Sequence, residues 1–555
     1  MRGVRPAVFI LTVMMLAWLH PVMVHAQQQT LHFSLSRLGE PQLDPHRSQG
    51  DLELHLNVNL FEGLMKLDPA TGELQPALAT GYRWLSPTII EFDLRQGVLF
   101  HNGEPFNAQA VKFSFDRMAK VKKGFNWIKA IIPEFDRVEV ITPYRIRIHF
   151  KKHNSIFLIS SRFFVILPPK LLQEKGVDAF MSHPVGTGPF IYQKRVEKPE
   201  GELQIHLKRN PDHWSQNGHR LNHVVVYYGL DQKHSLERLL DGRLDAMADL
   251  PIRRLLKARK GGFQTPAKGQ GLISWLYFNL TQYKADSPIW DPRVRQAIAH
   301  AIDYKRILRV VYRNRAQINQ QWAFPGLPGH VADLPDYAYD PQRARDLLQQ
   351  AQVPQGLRLN MYCDDVSLDE AKIVRSSLGA LGIDVHIDVL DEATNNCILT
   401  AKNQPNSPCH KKLKFYDMMM GDFGWGLPHN YVSHLHTFSL ESFASLVADD
   451  YPDAQRTVTL FQTAKAAFGQ DAATRQWEEI TRYEHKRLGI LGVALKQTYY
   501  AIPPHLNWPV YGAYDFSNAY LQPSAVRRGN RRIKEGPQEM SHVPAIKTVE
   551  AGGSR

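Results

Sequence analysis

The sequence predicts an α/β fold, because segments with the period-two pattern of strands alternate along the chain with segments of helical periodicity. The clearest unit has a strand pattern at 92–98, the turn dipeptide Asn102-Gly103, and then Asn107, which can cap the helix that follows. No repeat of roughly 20–50 residues recurs along the chain. The pattern therefore excludes a repeat protein and favours a mixed fold.

The remaining elements follow from the same periodicities. Strands come from period-two alternation, and helices from apolar residues that recur every three or four positions, such as Leu56, Leu60 and Leu64. The predicted strands are 31–35, 138–142, 145–150, 224–229, 272–280, 357–362 and 383–390. The predicted helices are 52–67, 235–240, 292–309, 344–351 and 370–381, and the predicted turns or loops are 39–46, 72–81 and 185–190.

The N-terminus has the form of a secretory signal peptide. Arg2 and Arg5 precede an apolar run from Ala7 to Leu19, and a cleavage pattern ends at Ala26. The apolar run is shorter than the roughly 20 residues of a membrane-spanning helix. We therefore expect cleavage after residue 26, no lipid anchor, and a mature chain in the periplasm. An uncleaved anchor is the alternative.

Length, composition and charge limit the kinds of protein that this chain can be. The chain has 555 residues with 43% hydrophobic content, which provides for a sizeable core. The formal net charge is +13, but basic residues occur along the whole chain and an exported protein rarely meets DNA. We expect no nucleic-acid partner. The densest basic run, 527–534, lies in a segment without apolar periodicity, so 522–555 is predicted to be a flexible tail.

The chain has three cysteines. Cys397 and Cys409 flank a polar loop that closes easily, and an oxidising compartment permits a disulfide between them. Sequence alone does not fix this pairing. Cys363 follows an apolar strand and is predicted to be a buried thiol outside any disulfide.

Ten segments, in chain order, resemble landmarks of the extracellular solute-binding proteins of family 5, the receptors of peptide-type ABC importers. These segments are GEPQLDPH (39–46), 59–84, 93–117, VGTGPF (185–190), RNPDHW (209–214), YFNLTQ (277–282), 290–307, 339–352, LGIDVHIDVLD (381–391) and YDMMMGDFGWG (416–426). The resemblance implies a two-lobed α/β fold with an inserted subdomain and a ligand cleft that closes by a hinge motion. By analogy, the divisions are lobe I at 27–60, 195–275 and 490–521, the inserted subdomain at 61–194, and lobe II at 276–489.

The resemblance also implies a ligand segment. In peptide-binding relatives, a Gly-Trp-x-Ala-Asp segment lines the cleft and its aspartate pairs with the ligand's amino group. Here Gly424, Trp425 and Gly426 match the pattern, but Pro428 stands at the aspartate's place and offers neither a charge nor a backbone donor. We predict that Trp425 forms an aromatic wall and that Asp422 substitutes for the aspartate. A core tryptophan and a turn aspartate are the alternatives.

Four further residues are candidate contacts by family position. Glu40 follows the first strand, and its alternative is an exposed loop carboxylate. Trp275 and Tyr277 precede the Asn279 landmark, and their alternative is packing on the sheet. Trp127 belongs to the inserted subdomain.

Metal sites and active sites have little support. His429, His434 and His436 are close in sequence, but no carboxylate or thiol partner accompanies them. Nucleophile-elbow, zinc-protease and phosphate-loop motifs are absent from the sequence. We expect no metal, no cofactor and no enzymatic activity.

The function implied is the periplasmic substrate-binding component of an ABC importer. Such a protein would capture a peptide or peptide-like solute and, as a monomer, deliver it to a membrane permease. Two alternatives remain open. One is a non-peptide ligand, such as a metal chelate, an opine or a sugar conjugate, and the other is a solute sensor for a membrane partner.

Overall fold

The computed structural model describes residues 30–521 with internal gaps. The residues outside the description are 1–29, 37–39, 48–52, 69–72, 121–133, 199–200, 216–220, 268–271, 282–283, 322, 326–328, 365, 391–393, 395–396, 399–406, 424–453, 509–515, 517–519 and 522–555. The predicted signal peptide and the predicted tail both lie outside the described residues.

Two six-stranded sheets form the framework. The first sheet has the order Tyr499–Ala501, Ala246–Leu250, Thr30–Ser34, His223–Tyr228, Leu203–Arg209 and Phe190–Glu197. The second sheet has the order Ala316–Ile318, Ile490–Lys496, Leu272–Phe278, Met418–Phe423, Arg358–Cys363 and Asp384–Val389. Thr30–Ser34 in the first sheet pairs in parallel with both of its neighbours, and so does Arg358–Cys363, which lies next to one edge of the second sheet. Both sheets therefore have a defined carboxyl edge.

Smaller sheets and helices surround this framework. A four-stranded sheet has the order Ala79–Ser86, Ile89–Leu94, Arg145–Phe150 and Phe135–Thr142, and two-stranded sheets join Met65–Leu67 to Leu74–Pro76 and Leu506–Asn507 to Tyr520–Leu521. The α-helices are Leu54–Leu60, Ala108–Lys120, Phe157–Ser160, Pro169–Ser182, Gln232–Leu240, Leu255–Lys260, Pro292–Ala301, Tyr304–Val310, Pro341–Gln350, Leu368–Gly379, His410–Phe415, Ala454–Ala466 and Gln470–Arg487. Short 3-10 helices are Pro45–Arg47, Ile252–Arg254 and Pro288–Trp290.

Local signals predicted several features correctly. The Asn107 side chain accepts hydrogen bonds from the backbone N–H groups of Gln109 at 2.9 Å and Ala110 at 3.2 Å, and so caps the helix Ala108–Lys120. Cys397 and Cys409 form the disulfide that the sequence left open. The thiol of Cys363 is buried, as predicted.

The predicted helix at 52–67 is wrong at its C-terminal half. The helix ends at Leu60, and Phe61 has extended backbone angles of φ −128° and ψ 157°. Gly63 then presses against the backbone of Ser161, where a Cβ atom would lie 2.6 Å from the carbonyl oxygen. Residues 65–67 continue as a strand, and part of the predicted turn at 72–81 is its partner. The leucine spacing reflects burial here, because Leu64 is buried outside the helix.

The predicted single helix at 292–309 is two helices. Ile302 has an extended ψ of 123° and ends the first helix, and Asp303 begins the second. The Asp303 carboxylate accepts the backbone N–H of Arg306 at 2.8 Å. An aspartate cap inside an apolar periodicity therefore marks the break.

The central strand of the second sheet, Leu272–Phe278, faces two different cores. Trp275 and Tyr277 pack into the core that also holds Phe33, whereas Leu276 and Phe278 pack into the second core with helix Pro292–Ala301. Successive side chains point to opposite faces of a strand, so both faces of this sheet are covered. This double burial fixes the register of the strand.

Helix Ala454–Ala466 links the second half of the chain to the four-stranded sheet. The Ser155 backbone N–H donates to the Lys465 carbonyl at 2.7 Å, and the Lys465 ammonium lies 2.8 Å from the Glu134 carboxylate. Both side chains of this ion pair are largely buried. The backbone N–H of Ser155 and its hydroxyl, which donates to the Ala464 carbonyl at 3.0 Å, thus satisfy two carbonyl groups at the C-terminal end of the helix.

A buried ion pair positions the loop that follows the first strand. Asp44 is fully buried, and both of its carboxylate oxygens accept hydrogen bonds from Arg117, at 3.0 and 2.6 Å. We expect Arg117→Met to lower the free energy of unfolding by about 3 kcal/mol, because it leaves a buried carboxylate without its main partner. Urea denaturation measures this change. Lys120→Met, on the exposed part of the same helix, is the control and should change stability by less than about 0.5 kcal/mol. Equal effects of the two substitutions would contradict the assignment.

Candidate ligand-binding site

The carboxyl edges of the two sheets meet at a very short connection. Lys496 ends a strand of the second sheet, and Tyr499 begins a strand of the first sheet, where it pairs with Leu250. Three residue steps of roughly 3.6 Å keep Lys496 and Tyr499 within about 11 Å of each other. Ligands of open α/β sheets bind outside the carboxyl ends of the strands. The geometry therefore places the candidate site at this junction.

Asp422 lies at the carboxyl edge of the second sheet, one residue before the end of Met418–Phe423. It pairs across the sheet with Ser274, and its carboxylate contacts the Lys496 ammonium. The Asp422 side chain is 13% exposed and that of Lys496 is 8% exposed. The aspartate predicted to replace the family's ligand carboxylate therefore already has an internal cation.

Two more acidic groups and a tyrosine surround this pair. Glu370 is 1% exposed and accepts the hydroxyl of Tyr312, whose ring lies 5.5 Å from the Lys496 ammonium. Burial raises the pKa of Asp422 to about 7, with Lys496 opposing the rise and Asp364 adding to it. Burial lowers the pKa of Lys496, but the nearby carboxylates outweigh this effect and raise it above its usual value. The cluster thus holds more carboxylates than cations.

Glu40 lies beyond the carboxyl end of the first strand, as its position in the sequence predicted. It is exposed, and its carboxylate lies 2.7 Å from the Arg195 guanidinium, which also pairs with Glu197 at 2.9 Å. Arg195 and Glu197 end a strand that runs parallel to Thr30–Ser34, so the three charges share the carboxyl edge of the first sheet. The first sheet therefore presents a charged rim at this edge.

Trp275 and Tyr277 lie in the hydrophobic core. Trp275 is 1% exposed and pairs with Gly421 on one neighbouring strand and Gly492 on the other. Its ring centroid lies 5.6 Å from that of Tyr277, and burial raises the tyrosine's pKa well above its usual value. This tryptophan therefore packs in the hydrophobic core on one face of the sheet.

Sequence reasoning missed Arg162. Its three guanidinium nitrogens are buried, and they make no hydrogen bond with any described residue. Burial lowers the pKa of Arg162 to about 9. The segment 161–166 runs beside the loop 44–47, because the ring of His46 bonds the Val165 carbonyl at 2.9 Å. No local pattern marks an arginine of this kind, since its burial arises from distant segments.

Several predicted site residues lie outside the described residues. These are Trp127, Gly424, Trp425, Gly426, Pro428, His429, His434 and His436. Within the part of the chain that the structure describes, no group of three or more His, Cys, Asp or Glu side chains is placed to hold a metal ion. The same part has no helix long and apolar enough to cross a membrane.

Comparison with known proteins assigns the family. A model of the bacterial extracellular solute-binding proteins, family 5, matches residues 73–439, which is more than half of the chain. The chain belongs to this family. Glutathione-binding protein GsiB of Salmonella typhi is 25% identical to this family 5 protein over 398 residues, 69% of this chain and 74% of that protein. Di/tripeptide-binding protein 2 of Pseudomonas aeruginosa is 27% identical over 407 residues, 68% of this chain and 75% of that protein.

A solved relative shows the architecture. The periplasmic binding protein DppA from Helicobacter pylori, in complex with the peptide STSA, matches this family 5 protein with a TM-score of 0.75 and 22% identity. The match covers 90% of this chain and 100% of that one. The predicted family and the predicted two-lobed α/β fold are therefore confirmed. The family consists of binding proteins that act outside the cytoplasm.

The raised pKa of Asp422 predicts a pH dependence of stability. The folded protein holds a proton on Asp422 up to about pH 7, whereas the unfolded chain releases it near 4. The folded state therefore binds more protons in this window, and Asp422 lowers stability as the pH rises from about 4 to about 7. We expect Asp422→Asn to flatten this part of the profile of unfolding free energy against pH, measured by urea denaturation. Parallel profiles of the variant and the wild-type protein would show that Asp422 does not titrate there.

Proposed function

We propose that this family 5 protein is a periplasmic receptor that captures a peptide or peptide-like solute and delivers it to an ABC permease. The observation that carries the proposal is the meeting of two carboxyl edges across the connection 497–498. Relatives named for glutathione and for di- and tripeptides support the peptide class. In this proposal the protein acts as a monomer and catalyses no reaction.

Cleft closure supplies the mechanism. A ligand that contacts both lobes favours the closed state by its differential affinity for that state. Ile490–Lys496 pairs with Leu272–Phe278 in the second sheet, whereas the family analogy assigned 490–521 to lobe I. We propose that the lobes divide at Gln497-Thr498, so that this short connection is one of the segments that form the hinge.

The proposed contacts come from both edges. The wall of the second lobe would be formed by Gly424, Trp425 and Gly426, which begin two residues after Asp422. Glu40 would contribute from the first lobe, and Trp127 from the inserted subdomain. Trp275 and Tyr277 would not contact the ligand, because both are buried; they would support the base of the proposed cleft from within the core.

Arg162 supports a ligand with a carboxylate. A buried charge without a partner is destabilising by several kcal/mol, and folded proteins normally pair such groups. Guanidinium binds carboxylates with two parallel hydrogen bonds, which makes Arg162 a suitable partner for the carboxyl group of a peptide. In the proposed complex, the ligand supplies the counter-charge that the described residues do not.

Arg162→Met tests this assignment. We expect the wild-type protein to bind a peptide at least about tenfold more tightly than its C-terminal amide, and the variant to lose that preference, because a buried charge pair is worth about 2 kcal/mol or more. The ligand-free variant should also unfold at a higher temperature. It no longer buries a guanidinium that makes no hydrogen bond with a described residue and whose Cζ atom lies 4.3 Å from the Phe163 ring centroid. Calorimetric titration and thermal unfolding measure the two effects. Arg345→Met, on an exposed helix surface, is the control. An unchanged preference in the variant would remove Arg162 from the site.

Trp425→Ala tests the aromatic wall. A panel of di- and tripeptides and glutathione, screened by thermal shift, identifies a ligand, and titration then compares the variants. We expect about a 30-fold loss of affinity, since buried tryptophans are typical binding hot spots worth about 2 kcal/mol or more. Tyr339→Ala replaces an aromatic side chain that is 52% exposed and should leave affinity unchanged. A folded Trp425→Ala protein with full affinity would exclude Trp425 from the cleft.

A non-peptide solute is the second candidate. Pro428 removes the family's amine-binding carboxylate, and Lys496 already contacts Asp422. A ligand without an amino group, such as an opine conjugate or a metal chelate, would need no such carboxylate. The same panel, extended to these solutes, separates the two candidates. A solute sensor for a membrane partner would bind the same ligands without supporting uptake.

A further inference from the structure

Two short segments carry an unusual concentration of positive charge. Residues 252–260 contain five basic side chains and no acidic one, and residues 303–316 contain five basic side chains and one acidic one, Asp303. The acidic residue is occupied as a helix cap. The two segments are therefore strongly cationic.

The fold brings these two segments together. Arg253 contacts Asp369 at 4.0 Å, and Arg306 donates a hydrogen bond to Ser376 at 3.3 Å. Both contacts are with helix Leu368–Gly379. Asp369 and Ser376 are seven residues apart, so they lie on the same face of this helix, about 10 Å from each other along its axis. The segments thus lie side by side against one helix face. We call the exposed side chains of 252–260 and 303–316 the basic face.

Most cations of the basic face have no acidic partner. Lys257, Lys260, Lys305, Arg309, Arg313 and Arg315 are exposed, and none of them forms an ion pair with a described residue. Surface cations elsewhere in the protein commonly form ion pairs, such as Arg83–Glu91 and Arg482–Asp333. The positive potential of the basic face is therefore not neutralised by the described part of the chain itself.

Large aliphatic side chains protrude from the same face. Leu256 is 56% exposed and Val310 is 59% exposed, and these are the highest values among the large hydrophobic side chains that the structure describes as exposed. Leu256 stands beside Lys257, and Val310 beside Arg309. Aliphatic tips among unpaired cations are typical of surfaces that lie in a membrane interface, where head groups meet acyl chains.

The loop near the end of the segment 303–316 has an uncommon backbone conformation. Arg313 and Asn314 both have left-handed backbone angles, with φ values of 51° and 58°. Such a conformation is uncommon for arginine and is retained where the surrounding structure demands it. The turn projects two exposed arginines, Arg313 and Arg315, on either side of Asn314. This local strain is consistent with a binding role for the loop.

We propose that the basic face docks the protein on the anionic phospholipids of a membrane surface. The cations bind the phosphate-bearing head groups, and Leu256 and Val310 enter the interface. A purely electrostatic partner, such as an acidic protein loop, would give no role to these aliphatic tips. The inference goes beyond the proposed function and does not depend on the identity of the ligand. Docking of this kind would concentrate a receptor next to a membrane permease.

Vesicle flotation of the full mature protein tests the proposal. The probes are vesicles of phosphatidylcholine alone and of an equimolar mixture with phosphatidylglycerol. We expect binding to the anionic vesicles only, weakened by salt. The combined variant Lys257→Gln, Lys260→Gln, Arg309→Gln and Arg313→Gln should bind at least about a hundredfold more weakly, because each cation near an anionic surface strengthens binding by about fivefold. Leu256→Ser with Val310→Ser should weaken binding at unchanged charge.

The matched control removes the same number of charges from the inserted subdomain. It combines Lys151→Gln, Lys152→Gln, Lys170→Gln and Lys175→Gln, all of which are exposed. This control should bind like the wild-type protein, and circular dichroism should confirm that both variants fold. Three results would overturn the proposal: no binding of the wild-type protein to anionic vesicles, equal binding to both kinds of vesicle, or equal losses in the control. Binding to native inner-membrane vesicles but not to vesicles of their extracted lipids would also overturn it, in favour of a protein partner.

Discussion

The two-residue connection between Lys496 and Tyr499 constrains the rest of the molecule. It joins the carboxyl edge of the second sheet to that of the first, so the loops that leave both edges must share the same space. A longer connection would leave the two edges free to separate. In the proposed mechanism the two sheets would rotate about this short connection without moving apart, as a closing cleft requires.

Charge differs between the two carboxyl edges. Asp422, Glu370 and Lys496 form a buried cluster beside the junction in the second sheet. Glu40 and Arg195 form a charged rim on the first sheet, at the strand farthest from Tyr499–Ala501. The internal cation beside Asp422 means that an incoming ammonium group must compete with Lys496. In the proposed complex, a ligand carboxylate would face no such competition at Arg162, whose guanidinium nitrogens make no hydrogen bond with a described residue. The proposal therefore favours recognition through the acidic end of a solute.

Local patterns predicted the element types well and the element ends less well. The cap at Asn107 and the hairpin strands at 138–150 follow from near neighbours in sequence, and the structure contains both. The helix at 52–67 was overextended because Leu64 is buried by segments far away in the chain, which sequence periodicity does not distinguish from helix. The same limit hid Arg162 and the contact between Asp422 and Lys496. Both depend on how distant strands and loops come together.

The central claim is that the junction of the two carboxyl edges binds a peptide-like solute. Native mass spectrometry of the mature protein, purified from the periplasm without refolding, tests it most directly, with chemical analysis of whatever is released on denaturation. We predict one solute per protein molecule, released only on unfolding, with amide-linked amino acids and a free carboxylate. A bound solute without either feature would contradict the account, as would a protein that carries nothing and binds no member of the peptide panel.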